Sequence, residues 1–521
     1  MLSSLPKFRA MKAMDCPDVN TRTRTIAALS AALLAGIGGH PSARAEEATE
    51  ARLRDSIKEI LRSPELDDAV AGVHVRNLSD GHTLFGHNAD KLFNPASNQK
   101  LLTTAAALFY LGPSYRFKTE VWRRGQLEGG VLKGDLHVVG YGDPTLTTEA
   151  LFGLVNEVAM RGITRVDGDL YIDSGFFDDV TEGPGWEQEV GDHAYAAPVG
   201  ALSVNFNTFT VRILPGARAG APLMAEVWPP VPSIELMIKG RTRGRGRRGR
   251  VWIGTTRQDD DSIHVTIRGS LSTSSTHGRV IRRRVHRPSQ YAGEMLVELL
   301  RMRGIRIRGK VKTGAVDTSA SSLVYTHRSQ PLSAIISTLN KYSNNFMAEQ
   351  ILKTLGAEVH GAPGTWKNGN NAVGAFLTEI GVPADSFVLV NGSGLNDTNR
   401  VTPMQITHLL HQMHKRFELR PEFVASLAVA GQSGTITGRF EDSPASARLR
   451  AKTGSLTGVS ALSGYVVTRT NEVLAFSVMM NDYRGRARSM WRIQDEIGIA
   501  LAAFPEVDSV ATSENTSAVR R

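Results

Sequence analysis

Cysteine is almost absent from this sequence, since the only one among 521 residues is Cys16. It precedes an apolar stretch at residues 26–39, so it is not placed for lipidation after a leader and has no partner for a disulfide. A disulfide-linked scaffold is therefore excluded. The fold must instead be held together by a buried core, which a chain of this length can form.

Three other signatures are missing. The 14 histidines form no H-E-x-x-H motif or comparable cluster, so the sequence predicts no metal site, and it implies no organic cofactor. No serine lies in a G-x-S-x-G pentad, because the nearest match, residues 431–435, has Thr435 at its last position. No internal repeat occurs at a fixed period. Zinc hydrolases, hydrolases with that serine pentad and repeat proteins are thus not indicated.

Long hydrophobic runs are missing as well. A helix needs about 20 apolar residues to cross a bilayer, whereas residues 26–39 are fewer and no later segment is both longer and equally apolar. Basic residues precede this stretch and Ser42-Ala43-Arg44-Ala45 follows it, which is typical of a secretory signal peptide. We predict a signal peptide at residues 1–45, cleavage after Ala45, and an exported mature chain without a transmembrane anchor.

Acidic residues do not balance the basic ones, but the excess is modest and partly local. The formal net charge is +10, and it falls to +6 without residues 1–45. Seven basic residues crowd into a glycine-rich segment: Lys239, Arg241, Arg243, Arg245, Arg247, Arg248 and Arg250. Because no aromatic side chain interrupts this run and the chain is predicted to be exported, nucleic acid is not favoured as a partner. The pattern favours a solvated, mobile hairpin loop, with attraction to an anionic polymer outside the cytoplasm as the alternative.

The rest of the chain alternates between helical and β-like patterns. Residues 71–88 alternate apolar and polar side chains around an Asp-Gly turn, which predicts a hairpin. Short β-like runs follow from about residue 118 to residue 324, and helical patterns then resume. Two apolar runs, residues 460–468 and 473–480, predict a pair of buried antiparallel strands before a closing helix.

These patterns predict an α/β (α+β) fold with a large, mostly β insertion. We expect one domain in two parts, residues 46–117 and 325–505, interrupted by inserted β domains at residues 118–324. Residues 506–521 are polar and rich in small side chains, which predicts a disordered tail.

A serine and a lysine lie three residues apart at the start of a predicted helix. Asn94 fits an N-cap and Pro95 the first helical position, before a Leu/Ala run that would be buried. Residues three apart share a helix face, so Lys100 would lie beside Ser97, and the positive end of the helix would lie where an oxyanion forms. This arrangement suits a nucleophilic serine that works without histidine. An ordinary capped helix with a surface lysine explains the segment equally well, and the tetrad Ser4-Leu5-Pro6-Lys7 shows that such matches also arise by chance.

Two further motifs follow along the chain. Ser343-Asn344-Asn345 lies between two predicted helices, where a serine or asparagine is usually just a cap. Lys452-Thr453-Gly454-Ser455 comes directly before the predicted strand pair, and its glycine would let a substrate backbone approach closely. A lysine at a strand end also occurs simply to keep an edge soluble. A competing copy, Lys312-Thr313-Gly314, precedes the second motif and leads into a polar stretch, so we discard it.

Taken in the order Ser97, Ser343 and Lys452, the three motifs resemble those of the serine penicillin-recognising enzymes, which include penicillin-binding proteins and serine β-lactamases. Their spacing is similar to that of class C low-molecular-mass penicillin-binding proteins, the D-alanyl-D-alanine carboxypeptidase/endopeptidases of peptidase family S13. Similar segments, such as Asn391-Gly392-Ser393-Gly394-Leu395, extend from about residue 55 to residue 505. The resemblance implies a transpeptidase/β-lactamase-like fold with an insertion, and a location in the periplasm.

The resemblance also implies a mechanism. Ser97 would attack the carbonyl between two D-alanines, Lys100 would accept its proton, and Ser343 would relay a proton to the departing D-alanine. The backbone N–H groups of Ser97 and Ser455 would form an oxyanion hole. The residues that would hold the substrate are Asn345, Lys452, Thr453, Gly454 and Ser455. The implied partners are peptidoglycan peptides and β-lactams, without nucleic acid, metal or cofactor.

Two other functions are compatible with these motifs. A serine β-lactamase would use the same acylation but is usually shorter and lacks the insertion. A non-catalytic peptidoglycan-binding protein would show no covalent chemistry. The motifs do not separate carboxypeptidase from endopeptidase activity, and they leave open the third residue of the stem peptide and the oligomeric state.

Overall fold

The computed structural model describes residues 43–188, 191–246, 249–260 and 262–505. The predicted signal peptide, apart from its last three residues, and the predicted tail lie outside these ranges. Within these ranges, the residues from Arg52 onward form one structural unit. None of the helices in the described ranges combines the length and the apolar character needed to span a membrane.

The described residues form ten α-helices and twenty strands. The helices are α1 (Ala43–Ile60), α2 (Gln99–Leu111), α3 (Thr148–Met160), α4 (Pro288–Met302), α5 (Leu332–Tyr342), α6 (Asn345–His360), α7 (Trp366–Glu379), α8 (Pro403–Lys415), α9 (Arg420–Ser426) and α10 (Ala487–Ala503). The strands are β1 (Val70–Asn77), β2 (Thr83–His87), β3 (Lys118–Glu128), β4 (Val131–Gly140), β5 (Arg165–Val166), β6 (Leu170–Asp173), β7 (Thr208–Leu214), β8 (Met224–Trp228), β9 (Ile234–Ile238), β10 (Arg241–Arg243), β11 (Val251–Arg257), β12 (Ile263–Ser272), β13 (Arg279–Arg284), β14 (Arg306–Ile307), β15 (Val311–Thr313), β16 (Ser322–Arg328), β17 (Ala428–Val429), β18 (Leu449–Leu456), β19 (Val459–Val467) and β20 (Val473–Asn481).

A six-stranded antiparallel sheet, in the order β17-β18-β19-β20-β1-β2, lies between two layers of helices. Its strands β19 and β20 are buried along almost their whole length, as expected for strands covered on both faces. Leu53 and Ile57 of α1 and Ile493 and Ile497 of α10 pack on one face, and helices α2 and α5 to α9 cover the other. The predicted hairpin at residues 71–88 and the predicted strand pair near the C-terminus are confirmed.

The chain between α2 and α5 builds a second core. Strands β3 to β6 and β14 to β16 form a seven-stranded sheet with α3 and α4 packed in the same core, and β7 to β13 form two smaller sheets. The predicted β-rich character of this segment is therefore confirmed. Strand β16 pairs with β3, so the predicted boundary at residue 324 falls inside a strand, and the chain leaves the sheet only after Arg328.

One part of the insertion packs on the first core instead of the second. Trp186, Ala196 and Val199 are buried among the helices of the first core. On α6, the side chain of Gln350 donates a hydrogen bond to Gly200 O at 3.0 Å. Helix α6, which begins at the last residue of the second motif, therefore holds this part of the insertion beside the motif.

Part of the basic segment after β9 forms a strand, whereas the sequence predicted a loop. Arg241–Arg243 form β10, which pairs in parallel with β12, and Lys239 N–H donates to Ile267 O at 2.8 Å. Thr242 is buried between two exposed arginines, so this short segment alternates like any strand with one face on a core. The prediction of a loop is therefore wrong for these residues.

Candidate active site

Ser97 lies on a 3₁₀ turn that precedes the predicted helix. The turn spans Ala96–Asn98 and leads directly into α2. The prediction of Asn94 as the N-cap is wrong, because Pro95 precedes the 3₁₀ turn and Asn98 precedes α2; Asn94 Oδ1 instead accepts the Ala96 N–H at 2.9 Å. Ala96, however, has a φ of 45°, which is incompatible with a right-handed helix that starts at Pro95. The prediction that Ser97 lies in the first turn of the α-helix is therefore corrected to the turn before it.

Tertiary contacts fix the backbone of this turn. Asn98 Nδ2 donates to Ser463 Oγ on β19 at 2.7 Å, and Ser463 donates in turn to Ser477 on β20 at 2.9 Å. A Cβ atom on Gly394 would lie 1.8 Å from Ala96 O. The loop that contains Gly394 thus requires glycine to approach the turn this closely. Packing, not local helix propensity, sets the position of the serine.

Lys100 has a fully buried side chain with three polar neighbours. Its Nζ lies 2.8 Å from Ser97 Oγ, 2.7 Å from Asn345 Oδ1 and 2.6 Å from Ser393 O. A neutral amine has two N–H donors and one lone pair. The amide oxygen and the carbonyl oxygen can accept its two N–H bonds, and the lone pair then faces the serine hydroxyl. The geometry therefore accommodates an uncharged lysine that accepts the serine proton.

Burial makes this uncharged form accessible. Removal of the ammonium from water lowers the pKa of Lys100 from 10.5 to about 7, and the Glu349 carboxylate opposes the shift. A base with a pKa near the working pH is well suited to activate a serine hydroxyl. This amine therefore loses its proton much more readily than that of an exposed lysine.

Ser343 lies between α5 and α6, as the sequence predicted, whereas Asn345 is the first residue of α6. Ser343 ends α5 in the left-handed conformation, with φ 57° and ψ 41°. Asn344 caps α6 by accepting a backbone N–H three residues further on at 3.0 Å. The capping expected for this motif is thus provided by its middle residue, and the two outer side chains contact the buried lysines of the other two motifs.

Lys452 lies on β18 and is as buried as Lys100. Its Nζ donates to Ser343 Oγ at 2.7 Å and to Thr453 O at 2.7 Å. Burial lowers the pKa of Lys452 well below its usual range, and the positive charge of Lys100 lowers it further. Because like charges repel, a charge on either lysine favours the neutral form of the other.

Of the remaining residues of the third motif, only Ser455 is exposed at the opening of the site. Thr453 Oγ1 donates to Thr435 Oγ1 at 2.8 Å. A Cβ atom on Gly454 would lie 2.8 Å from Pro95 O. The turn that carries the serine therefore requires glycine at this position, which is a packing reason beyond the substrate approach that the sequence suggested.

A cavity of about 790 Å³ opens in front of these groups. Ser97, Asn345 and Ser455 all line it, so each motif contributes one side chain to the same surface. The insertion contributes Tyr195, whose carbonyl accepts a hydrogen bond from Asn345 Nδ2 at 3.0 Å. The insertion therefore both lines the cavity and orients the amide that contacts Lys100.

Glu349 on α6 was not among the residues predicted for the site, although its side chain is fully buried beside it. Its Oε1 accepts the Ser393 N–H at 2.8 Å, and its Oε2 accepts the Gly392 N–H at 2.9 Å and the Trp366 indole N–H at 2.8 Å. The carboxylate thus fixes the loop whose carbonyl contacts Lys100. The signal available in the sequence was its position one helical turn after the S-x-N motif.

The competing copy of the third motif lies outside this site. Lys312 is on β15 in the seven-stranded sheet, where its Nζ forms an ion pair with Asp169 Oδ2 at 2.5 Å. In the part of the chain that the structure describes, no group of three His, Cys, Asp or Glu side chains is arranged to hold a metal ion.

Comparison with known proteins identifies relatives along most of the chain. Residues 53–498 match the model of the D-Ala-D-Ala carboxypeptidase 3 (S13) family. A D-alanyl-D-alanine carboxypeptidase from an Actinomadura species is 36% identical over 488 residues, which cover 90% of this chain and 88% of that protein. The D-alanyl-D-alanine carboxypeptidase DacB of Haemophilus influenzae is 26% identical over 415 residues, which cover 79% of this chain and 85% of that protein.

Solved structures show the same relationship. The crystal structure of penicillin-binding protein 4 from Haemophilus influenzae matches with a TM-score of 0.73 and 25% identity, covering 85% of this chain and 97% of that chain. Its complex with a β-lactam matches with a TM-score of 0.70 over 85% and 98% of the two chains. These findings confirm the family resemblance, the predicted fold class and the prediction of a hydrolase. Since the family model spans all three motifs and both cores, the chain belongs to the D-Ala-D-Ala carboxypeptidase 3 (S13) family.

Proposed function

We propose that the protein is a serine-type D-alanyl-D-alanine carboxypeptidase and/or endopeptidase that acts on peptidoglycan stem peptides through an acyl-enzyme on Ser97. β-Lactams acylate the same serine. The observation that carries this assignment is the contact of the buried Lys100 Nζ with Ser97 Oγ and two fixed acceptors. The names of the relatives, and the β-lactam bound to penicillin-binding protein 4, support the choice of substrate and inhibitor.

Acylation begins with the transfer of the Ser97 proton. As Oγ bonds to the carbonyl carbon of the penultimate D-alanine, the lone pair of Lys100 takes this proton. The C–N bond then breaks, and its electron pair stays on nitrogen. Ser343 delivers its hydroxyl proton to the departing D-alanine and takes one in turn from the ammonium of Lys452, which it contacts at 2.7 Å. Lys100 gains one proton and Lys452 loses one, so the net charge of the site is unchanged.

The remaining motif residues bind and orient the substrate. Lys452 and Thr453 hold the terminal carboxylate, and Asn345 holds a substrate amide at the wall of the cavity. The backbone N–H groups of Ser97 and Ser455 stabilise the oxyanion, and a donor of this kind is worth about 3 kcal/mol in the transition state. Water then hydrolyses the ester. A terminal D-alanine as leaving group gives carboxypeptidase activity, and a cross-linked peptide gives endopeptidase activity.

The proposed reaction also indicates where the protein works and which parts of the chain form the catalytic domain. Residues 1–45 have the composition of a signal peptide, and the proposed substrate lies outside the cytoplasm, so we infer export to the periplasm. We assign the catalytic domain to residues 46–117 together with the segment from 329 to 505. The segment between them is the insertion, which contributes Tyr195 to the cavity.

Intact-mass measurement after treatment with benzylpenicillin tests the assignment. We expect the protein mass to increase by that of one penicillin molecule, and peptide mapping to locate the adduct on Ser97. A synthetic peptide that ends in D-Ala-D-Ala should release D-alanine, and earlier β-lactam treatment should block the release. A non-catalytic peptidoglycan-binding protein would give no adduct. A serine β-lactamase would turn over a chromogenic cephalosporin rapidly instead of retaining a long-lived adduct.

The rate of acylation should depend on pH through Lys100. Because only the neutral amine can take a proton and burial lowers its pKa to about 7, the rate constant should rise with pH up to that value and level off above it. Below the midpoint we expect a fall of about tenfold per pH unit. Stopped-flow acylation with a chromogenic β-lactam, with circular dichroism to confirm folding at each pH, measures the profile. A flat profile, or a rate that increases as the pH falls, would contradict the role of this lysine as base.

A further inference from the structure

The basic residues of the insertion gather on one face of its four-stranded sheet. In β10 and β12, Arg241, Arg243 and Arg268 are exposed. Thr242 lies between Arg241 and Arg243 and is buried. Ile267 precedes Arg268 and is buried in the second core. Successive side chains of a strand point to opposite faces, so the three arginines share the outer face of the sheet.

Three further side chains complete this surface. Trp252 of β11 pairs directly with Arg268, and both are exposed. Lys239, on the other side of Arg268, extends the pairing of β9 with β12. The guanidinium of Arg250 lies 5.4 Å from the centroid of the Trp252 ring. The basic face consists of Lys239, Arg241, Arg243, Arg250, Trp252 and Arg268.

The charge of the chain is concentrated in the stretch of sequence that contains this face. Residues 234–287 contain fourteen Lys and Arg and four Asp and Glu, so their formal charge of +10 equals that of the whole chain. Within the described residues, none of the five cations of the basic face takes part in an ion pair, and Arg241 donates to a backbone oxygen, Gly220 O, at 3.1 Å. Like charges on neighbouring strands destabilise a sheet. The binding of an anion would relieve this repulsion.

We propose that the basic face binds carboxylates of the peptidoglycan strand on which the enzyme acts and so holds the enzyme on its polymeric substrate. This inference rests on the proposed function, because that function makes a polymer with a carboxylate at the end of each stem peptide the ligand of the protein. The face is an open sheet with strands about 4.8 Å apart, which presents several cations to an extended chain at once. Nucleic acids, phospholipids and phosphate-containing wall polymers are also anionic, but the proposed reaction brings none of them to the protein.

Sedimentation with purified sacculi tests the proposal. The full-length Ser97→Ala protein serves as the parent, so that the wall is not digested, and hydrofluoric acid removes phosphodiester-linked polymers from the sacculi. The basic-face variant carries four neutral substitutions on this parent: Lys239→Gln, Arg241→Gln, Arg243→Gln and Arg268→Gln. We expect it to bind sacculi roughly tenfold more weakly than the parent, because four exposed charge contacts are lost. Its binding should also depend less on salt.

A matched variant removes the same number of exposed charges elsewhere in the insertion. It carries Arg124→Gln, Arg303→Gln, Arg306→Gln and Lys310→Gln, which are exposed side chains outside the basic face. We expect this control to bind sacculi like the parent. When the carboxylates of the sacculi are amidated, the parent should bind them as weakly as the basic-face variant binds untreated sacculi. Full binding by the basic-face variant, equal losses in both variants, or full binding of the parent to amidated sacculi would each overturn the proposal.

Penicillin acylation separates this inference from the proposed function. With Ser97 restored, both four-site variants should form the penicillin adduct at the wild-type rate. Normal adduct formation together with undiminished binding of the basic-face variant to sacculi would overturn the inference and leave the function intact. Absence of the adduct in every protein, together with binding that depends on the basic face, would overturn the function and leave carboxylate binding intact.

Discussion

Replacement of Lys100 by methionine is expected to slow acylation by roughly 10²–10⁴-fold, the range that a general base contributes. Methionine keeps the length and the apolar stem of this fully buried side chain, so packing is largely retained. The substitution removes the lone pair that we propose accepts the Ser97 proton. The groups that hold the substrate remain, so the loss should appear in the rate constant of acylation and not in the affinity. Single-turnover labelling over a range of fluorescent penicillin concentrations separates the two quantities.

Lys353→Met provides a matched control for the removal of a buried lysine. The side chain of Lys353 is also fully buried, but its Nζ contacts Asp178 Oδ1 at 2.5 Å and Val180 O at 2.8 Å instead of a serine. We expect this variant to be less stable yet to label at the wild-type rate while folded, and Ser97→Ala to give no label. Equal slowing in both lysine variants would indicate a packing defect. Normal labelling of Lys100→Met, or any label on Ser97→Ala, would contradict the assigned roles.

The central strands and the three motifs could be predicted because their signals are local. Strands β19 and β20 are covered on both faces, so their sequences are continuously apolar and their limits lie within a residue or two of the prediction. The motifs combine residue type with position at the ends of predicted elements. Each motif was ambiguous by itself, and their order along the chain singled out Lys452 over the copy at Lys312.

The contacts that make the site work could not be predicted from local patterns. Lys100 bonds to Asn345, which is 245 residues away, and that amide is oriented by Tyr195 from the insertion. The turn that carries Ser97 departs from the predicted helix because the loop at Gly394 and the strands beneath the turn fix its backbone. Such arrangements depend on the tertiary fold, which a single sequence pattern does not encode.

Replacement of Glu349 by glutamine should move the acylation profile to lower pH and also lower its plateau. The negative charge of Glu349 stabilises the ammonium form of Lys100 and so raises the pKa of that lysine. Without this charge the pKa falls further, and the neutral amine persists to lower pH. The sign of the shift is therefore opposite to that expected if the pocket merely opened to water, because hydration would raise the pKa back toward 10.5.

The plateau should fall because glutamine cannot replace both carboxylate oxygens. Oε1 accepts one backbone N–H, and Oε2 accepts a second together with the Trp366 indole N–H. In either orientation the amide NH₂ group faces at least one backbone N–H, which leaves a buried donor unpaired at a cost of about 1–3 kcal/mol. The loop that presents Ser393 O to Lys100 would shift, and a displacement of about 1 Å at such a site costs roughly 10²-fold in rate.

Trp366→Phe is the control that separates the charge of Glu349 from its packing. This variant removes one hydrogen bond to the carboxylate but keeps the charge and both backbone contacts, so the midpoint of the pH profile should stay at its wild-type value. Stopped-flow acylation of both variants across the same pH range gives midpoint and plateau independently. A lower plateau in Glu349→Gln without any shift of the midpoint would show that Glu349 only supports the structure and that its charge does not affect the pKa of Lys100. A shift to higher pH would show that the substitution acts by exposing Lys100 to water and not by removing the negative charge of Glu349.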